Sequence, residues 1–181
     1  GTLTLTQELH TRAYAAVFQK FGISYDLKRD FYHAAKGSEK IFTDVFKEEG
    51  VNDYDLQTCL DEKRTFYKKN LGQSIIKPAT GVREFVMRLK NEGIPFAVAT
   101  GNTKESAKEI LKRADLDFFE VIVESKEVAK GKPAPDIFLL AAERIQRNPA
   151  ECVGFEDGFN GIKAVKAAGM YCVAFCTTGT A

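Results

Sequence analysis

Cys152-Val153-Gly154-Phe155-Glu156-Asp157 is a short apolar run that ends in two adjacent carboxylates, and a helical pattern follows it over residues 160–168. The stretch reads as strand, turn, helix. In an open parallel sheet such a turn lies in the crevice beyond the carboxyl ends of the strands, where ligands bind. Paired carboxylates there suit a hard cation: Mg2+ is usually held by one or two protein carboxylates together with waters and substrate phosphate. The plainer alternative is a solvated turn whose charge complements the positive end of the following helix.

Working outward, the same alternation repeats through the second part of the chain. Val82, Phe85, Val86 and Leu89 mark an amphipathic helix that stops near Gly93, and Ile94-Pro95-Phe96-Ala97-Val98-Ala99-Thr100 is an apolar run suited to burial on both faces. A helix carrying Ala107, Ile110, Leu111 and Ala114 follows, then a strand over residues 119–123. Next come a helix opened by Pro135-Asp136 with Ile137, Leu140, Ala141 and Ile145, the strand that ends at Phe155, and a last strand over residues 171–175. Strands alternating with helices predict right-handed crossovers and a parallel sheet covered on both faces. Before Lys77-Pro78 the pattern differs. Leu9, Tyr14 and Val17-Phe18, then Ile41, Val45 and Phe46, then Leu56, Leu60 and Phe66-Tyr67 recur at helical spacing, so this part reads as several helices.

The predicted strand ends carry further polar groups. Thr100-Gly101-Asn102-Thr103 offers a hydroxyl, an amide and backbone N–H groups at a helix N-terminus, a setting that stabilises phosphate oxygens. Asn102 or Thr103 can equally act there as the helix N-cap. Lys132 sits in Gly131-Lys132-Pro133-Ala134-Pro135, where the two prolines restrict the backbone around its ammonium. A lone lysine is ordinarily a solvated charge; three polar strand-end clusters in one half of the chain point instead to a site.

Composition narrows the class. The 181 residues are 44% hydrophobic and 28% charged, and 26 basic residues against 25 acidic ones give a net charge of +1. Such a balance carries no electrostatic footprint of nucleic acid, and no apolar run reaches the roughly 18 residues of a membrane span. Cys59, Cys152, Cys172 and Cys176 lie mostly in apolar runs without paired CxxC spacing. Buried thiols in a reducing cytoplasm are therefore expected rather than disulfides or a zinc site.

Taken together these segments resemble the haloacid dehalogenase-like hydrolases, in the phosphatase and phosphomutase branch that has a helical cap. Gly1-Thr2-Leu3 is similar to the tail of the family's first motif, Asp-x-Asp-Gly-Thr-Leu, and Thr100 matches the Ser or Thr of the second. Lys132 in Gly-Lys-Pro-Ala-Pro-Asp matches the third; Gly154-Phe155-Glu156-Asp157 with Gly161-Ile162 and Ala168-Gly169-Met170 matches the fourth. The resemblance spans essentially the whole chain and implies an α/β fold: a doubly wound parallel, Rossmann-like sheet core with an inserted α-helical cap domain. The core would comprise residues 1–9 and 78–181, and the cap residues 10–77. Two departures from the family pattern concern the metal and the cap hinge: Leu5 stands where relatives often carry an acidic residue, and Gly158 where many carry Ser or Thr.

The resemblance also implies covalent phosphoryl transfer with Mg2+ as cofactor. A nucleophilic Asp and an acid/base Asp would lie just upstream of Gly1, on a central strand whose loss would leave a hole in the sheet with unpaired backbone groups. Asp157 and Glu156 would serve the metal, Glu156 rather by supporting Lys132 or a metal-bound water. Thr100, Gly101, Asn102 and Lys132 would bind phosphate, with Thr100 and Lys132 also catalytic. His10, Lys36, Gly37 and Lys40 in the cap would touch the substrate, although a histidine placed like His10 is more often a partly exposed helix residue, and residues 36–40 read equally as a turn. The expected partner is a small phosphorylated metabolite, a sugar phosphate, handled by a monomer without nucleic acid or membrane. A phosphomutase of the β-phosphoglucomutase type is the alternative, as is an inactive member that binds phosphorylated ligands or a protein. A true dehalogenase fits less well, since Lys132 and the acidic pair favour metal and phosphate over halide.

Overall fold

Apolar residues at helical spacing can be kept from water only by other helices or by a sheet, and the two parts of this chain use different solutions. The computed structural model describes residues 2–4, 6–33 and 37–175, apart from the Phe31 side chain. Gly1, Leu5, Lys36 and Cys176, all named above, lie outside the described residues. The chain forms two compact units, Gly1–Leu5 with Ile75–Ala181, and Thr6–Ser74. The division expected at residues 9/10 therefore falls inside the first helix, and that expected at 77/78 three residues after the second crossing.

The helical unit contains α1 (Gln7–Phe18), α2 (Leu27–His33), α3 (Ser38–Glu48) and α4 (Leu56–Gln73). Ile41, Phe42, Val45 and Phe46 make one apolar stripe along α3 and are all buried. Phe18 meets Phe42 and Phe46 with ring centroids 5.1 and 5.4 Å apart, and all three rings are wholly removed from solvent. After α3 the helical structure is interrupted, and α4 begins where the Asp55 carboxylate accepts from the Thr58 N–H at 2.9 Å and caps it. No apolar period announces the seven-residue α2; its buried residues include Asp30, discussed below.

The second unit runs α5 (Val82–Asn91), β1 (Ala97–Thr100), α6 (Lys104–Arg113), β2 (Val121–Glu124), α7 (Asp136–Arg144), β3 (Val153–Glu156), α8 (Phe159–Ala167) and β4 (Tyr171–Ala174). Strand and helix alternate as expected, and both ladders are parallel. The strand expected from residue 94 begins only at Ala97; Pro95 has no N–H to give a ladder. That expected at 119–123 is shifted to Val121–Glu124, and Phe119 packs before it against Phe96, with ring centroids 5.1 Å apart.

The sheet is divided. Among the described residues β1 pairs only with β2, and β3 only with β4. Between β1 and β3 lies a largely apolar cleft of about 390 Å³, lined along both strands and by Phe85, Phe138, Thr2 and Leu3. Residues of β1, expected to be buried on both faces, are accordingly half-buried throughout. The two half-sheets share one core nonetheless: Ile137, Phe138 and Ala141 of α7 and Ala164 and Val165 of α8 cluster with Val123, and Ala97, Ala99 and Cys172 pack against them. The thiols follow the division too: Cys59 is buried, whereas Cys152 and Cys172 are half-buried rather than buried; all three are free.

Close approach of α8 to β3 depends on Gly154, since a methyl group there would stand 2.6 Å from a Val165 methyl. Gly154→Ala is expected to destabilise the protein by about 1–3 kcal/mol through overpacking, read from denaturant unfolding. An unchanged midpoint would mean that α8 does not rest on β3 in this way.

Candidate active site

Parallel strands point their carboxyl ends the same way, so the turns after β1 and β3 emerge at one edge. Lys132, in the loop between β2 and α7, reaches both. Its ammonium donates to the Ala99 carbonyl at the end of β1 (3.4 Å) and forms a close ion pair with Glu156 Oε1 at the end of β3, over the Phe138 ring (centroid 4.8 Å). Lys132 is thus no solvated surface charge; its side chain is 23% exposed.

Glu156 is committed inward. Besides the Lys132 pair, its Oε2 accepts from the backbone N–H groups of Asp157 (3.2 Å) and Gly158 (3.4 Å). Its carboxylate lies on Gly161, where any side chain would overlap it. The paired acids therefore have different tasks. Asp157 is half-buried and accepts from the Thr2 hydroxyl at 2.7 Å. Among the described residues no group of three or more His, Cys, Asp or Glu stands together as a metal cage. One carboxylate at a strand end still fits the way Mg2+ is held, by one or two protein carboxylates, water and phosphate.

Thr100 Oγ1 accepts from the Asn102 N–H (3.1 Å), which leaves the hydroxyl proton to donate outward. The N-cap of α6 is Thr103 rather than Asn102: its side chain accepts from the Ser106 N–H at 3.2 Å. The Asn102 backbone N–H is thereby used within the turn.

Of the residues expected to touch substrate in the helical unit, Gly37 is exposed and Lys40 pairs with Asp44 one turn along α3 (2.5 Å), as an ordinary helix-surface pair. His10 differs. Its ring stacks on Tyr67 with centroids 4.2 Å apart, and its Nδ1 lies 3.3 Å from the Lys63 ammonium. Loss of solvation, and then the Lys63 charge, lower its pKa to about 3, so it is neutral at physiological pH. Lys63 is buried, 4.6 Å above the Tyr14 ring and 5.6 Å from that of Tyr67, and desolvation lowers its pKa to about 8. Nearby, the buried Asp30 carboxylate accepts from Gln7 (2.7 Å), Thr11 (2.6 Å) and Tyr25 (2.9 Å). Lys63 was not anticipated. The available signal was its spacing, four residues from both Cys59 and Tyr67 on the buried stripe of α4.

A parallel α/β core whose strand ends carry a hydroxyl, an ammonium and a carboxylate defines the class of α/β enzymes that work at that edge. The haloacid dehalogenase-like hydrolase model matches residues 1–169, and the chain belongs to that family. It is 32% identical to β-phosphoglucomutase of Bacillus subtilis over 96% of this chain and 78% of that protein. It is 31% identical to a phosphorylated carbohydrates phosphatase of Thermotoga maritima, over 94% and 78%. The crystal structure of HAD hydrolase, family IA, variant 3 from Entamoeba histolytica has the same fold: the TM-score is 0.85, with 24% identity over 100% of this chain and 82% of that one. No helix among the described residues is long and apolar enough to cross a membrane.

The folded-state pKa of Lys63 lies below its unfolded value, so between these values the unfolded chain binds more protons and stability rises with pH. Relative to Lys63→Met, which does not titrate, the wild type should gain about 2 kcal/mol between pH 7 and 9.5, measured by denaturant unfolding of both proteins. A pH-independent difference would show that the amine is solvated.

Proposed function

We propose that this protein is a Mg2+-dependent phosphatase acting on a small sugar phosphate through an aspartyl-phosphate whose Asp lies upstream of Gly1. The observation that carries the reading is Lys132 standing between the ends of β1 and β3, where it meets Ala99 and Glu156, the residues that precede Thr100 and Asp157. The upstream segment would run into the cleft between β1 and β3, which Thr2 and Leu3 already line, and bring two aspartates to the strand ends. The first attacks phosphorus as the bond to the sugar oxygen breaks; the second protonates that oxygen, then takes a proton from the water that hydrolyses the acyl phosphate. The Thr100 hydroxyl, the Gly101 amide and the Lys132 ammonium donate to the phosphoryl oxygens, whose charge grows in the transition state. Glu156 holds Lys132 in place. Mg2+, held by Asp157, would supply neutralisation of the phosphate charge. The helical unit, through His10, Gly37 and Lys40, would select the sugar, and the free thiols suit a reducing cytoplasm.

Likeness to a β-phosphoglucomutase favours one second reading, transfer of the phosphoryl group to another sugar hydroxyl. Product analysis separates the two: orthophosphate release for the phosphatase, an isomerised sugar phosphate without orthophosphate for the mutase.

In the full-length protein, Asp157→Asn and Lys132→Ala should each lower Mg2+-dependent turnover of a simple phosphomonoester by about 10²-fold or more with folding retained. Turnover near wild type in both variants would sink the proposal.

A further inference from the structure

Thr100 is the terminal residue of β1, and its ladder partner is Glu124 at the end of β2. Glu124 is 4% exposed, and its two carboxylate oxygens take different partners. Its Oε2 accepts from the backbone N–H of Lys104, the first residue of α6, at 2.7 Å. That amide has no carbonyl partner within the helix, so the contact fastens the far end of the turn Thr100-Gly101-Asn102-Thr103. The near end is fastened from the same short segment, where the Ser125 hydroxyl donates to the Thr100 carbonyl (3.4 Å). Glu124 is itself braced: its N–H donates to Glu127 Oε1 (2.9 Å), and Glu127 Oε2 pairs with Arg144 of α7 (2.5 Å). The Arg144 guanidinium holds the Glu127 carboxyl down to about 2, so the brace is ionised across the working pH range. Lys126 meets the other Glu124 oxygen at 2.9 Å from a largely exposed side chain.

We infer that Glu124 is a positioning residue: by holding the Lys104 amide it sets the turn after β1 in the shape that aims the Thr100 hydroxyl and the Gly101 amide at a phosphoryl group. The inference rests on the phosphoryl-transfer reading above and names a residue outside the motifs of the sequence on which its phosphate turn depends. A substrate's phosphoryl group meets this turn already in the ground state, so loosening it raises KM and the orthophosphate inhibition constant together; kcat falls as well, because the phosphoryl charge that the turn meets grows in the transition state.

Steady-state kinetics of the full-length protein, with a simple phosphomonoester as substrate and orthophosphate as competing ligand, test this at a temperature where circular dichroism shows each variant folded. Glu124→Ala and Glu124→Asp, the latter keeping the charge but not the reach, should raise KM and the orthophosphate inhibition constant about tenfold. Glu124→Gln, whose amide oxygen still accepts from Lys104, should stay within about threefold of wild type, and so should Lys126→Met. If Glu124→Ala does not fold, Glu124→Asp against Glu124→Gln decides. Wild-type KM in folded Glu124→Ala or Glu124→Asp overturns the inference, as does a Glu124→Gln that behaves like Glu124→Asp. Wild-type protein that neither turns over the phosphomonoester nor binds orthophosphate overturns the phosphoryl-transfer reading and this inference with it.

Discussion

The ion pair between Lys132 and Glu156 is the interaction on which the arrangement of the site depends, because it is made where two separately paired half-sheets must end together. A charge pair this far removed from water is stable only when its remaining hydrogen-bonding capacity is met. The Ala99 carbonyl meets it for Lys132, and the amides of Asp157 and Gly158 meet it for Glu156. Each of these partners is also a neighbour of a proposed working group. Satisfying the pair therefore places Thr100 and Asp157 at the same edge, and the missing side chain of Gly161 leaves the carboxylate its room.

Below that edge the unit is held by helices more than by its sheet. Among the described residues β1 and β3 do not pair across the cleft, and the continuity of the core comes from α7 and α8, which pack their small and branched residues across both ladders.

In the helical unit, stability and chemistry are kept apart. The rings of Phe18, Phe42 and Phe46 supply the buried area, while the polar groups collect around Asp30 and Lys63. Asp30 keeps its burial tolerable with three donors. Lys63 has aromatic faces and a neutral imidazole around its ammonium, and desolvation outweighs the attraction of the Asp30 carboxylate, hence its depressed pKa.

Much of this was legible in the chain itself. The change from helical spacing to strand–helix alternation near Pro78, the acidic pair after Phe155 and the proline-flanked Lys132 are local patterns, and local patterns follow from backbone geometry and hydrophobic period. What period cannot convey is which polar group meets which. That Glu156 turns inward to Lys132 while Asp157 does not, that Thr103 rather than Asn102 caps α6, and that Glu124 reaches the Lys104 amide are decided by residues 20 or more positions apart in most of these contacts. Lys63 and Asp30 escaped notice for the same reason. A charged residue on an apolar stripe looks misplaced until the fold supplies its partners, because burial of a charge is tolerable only through contacts that tertiary structure alone brings into range.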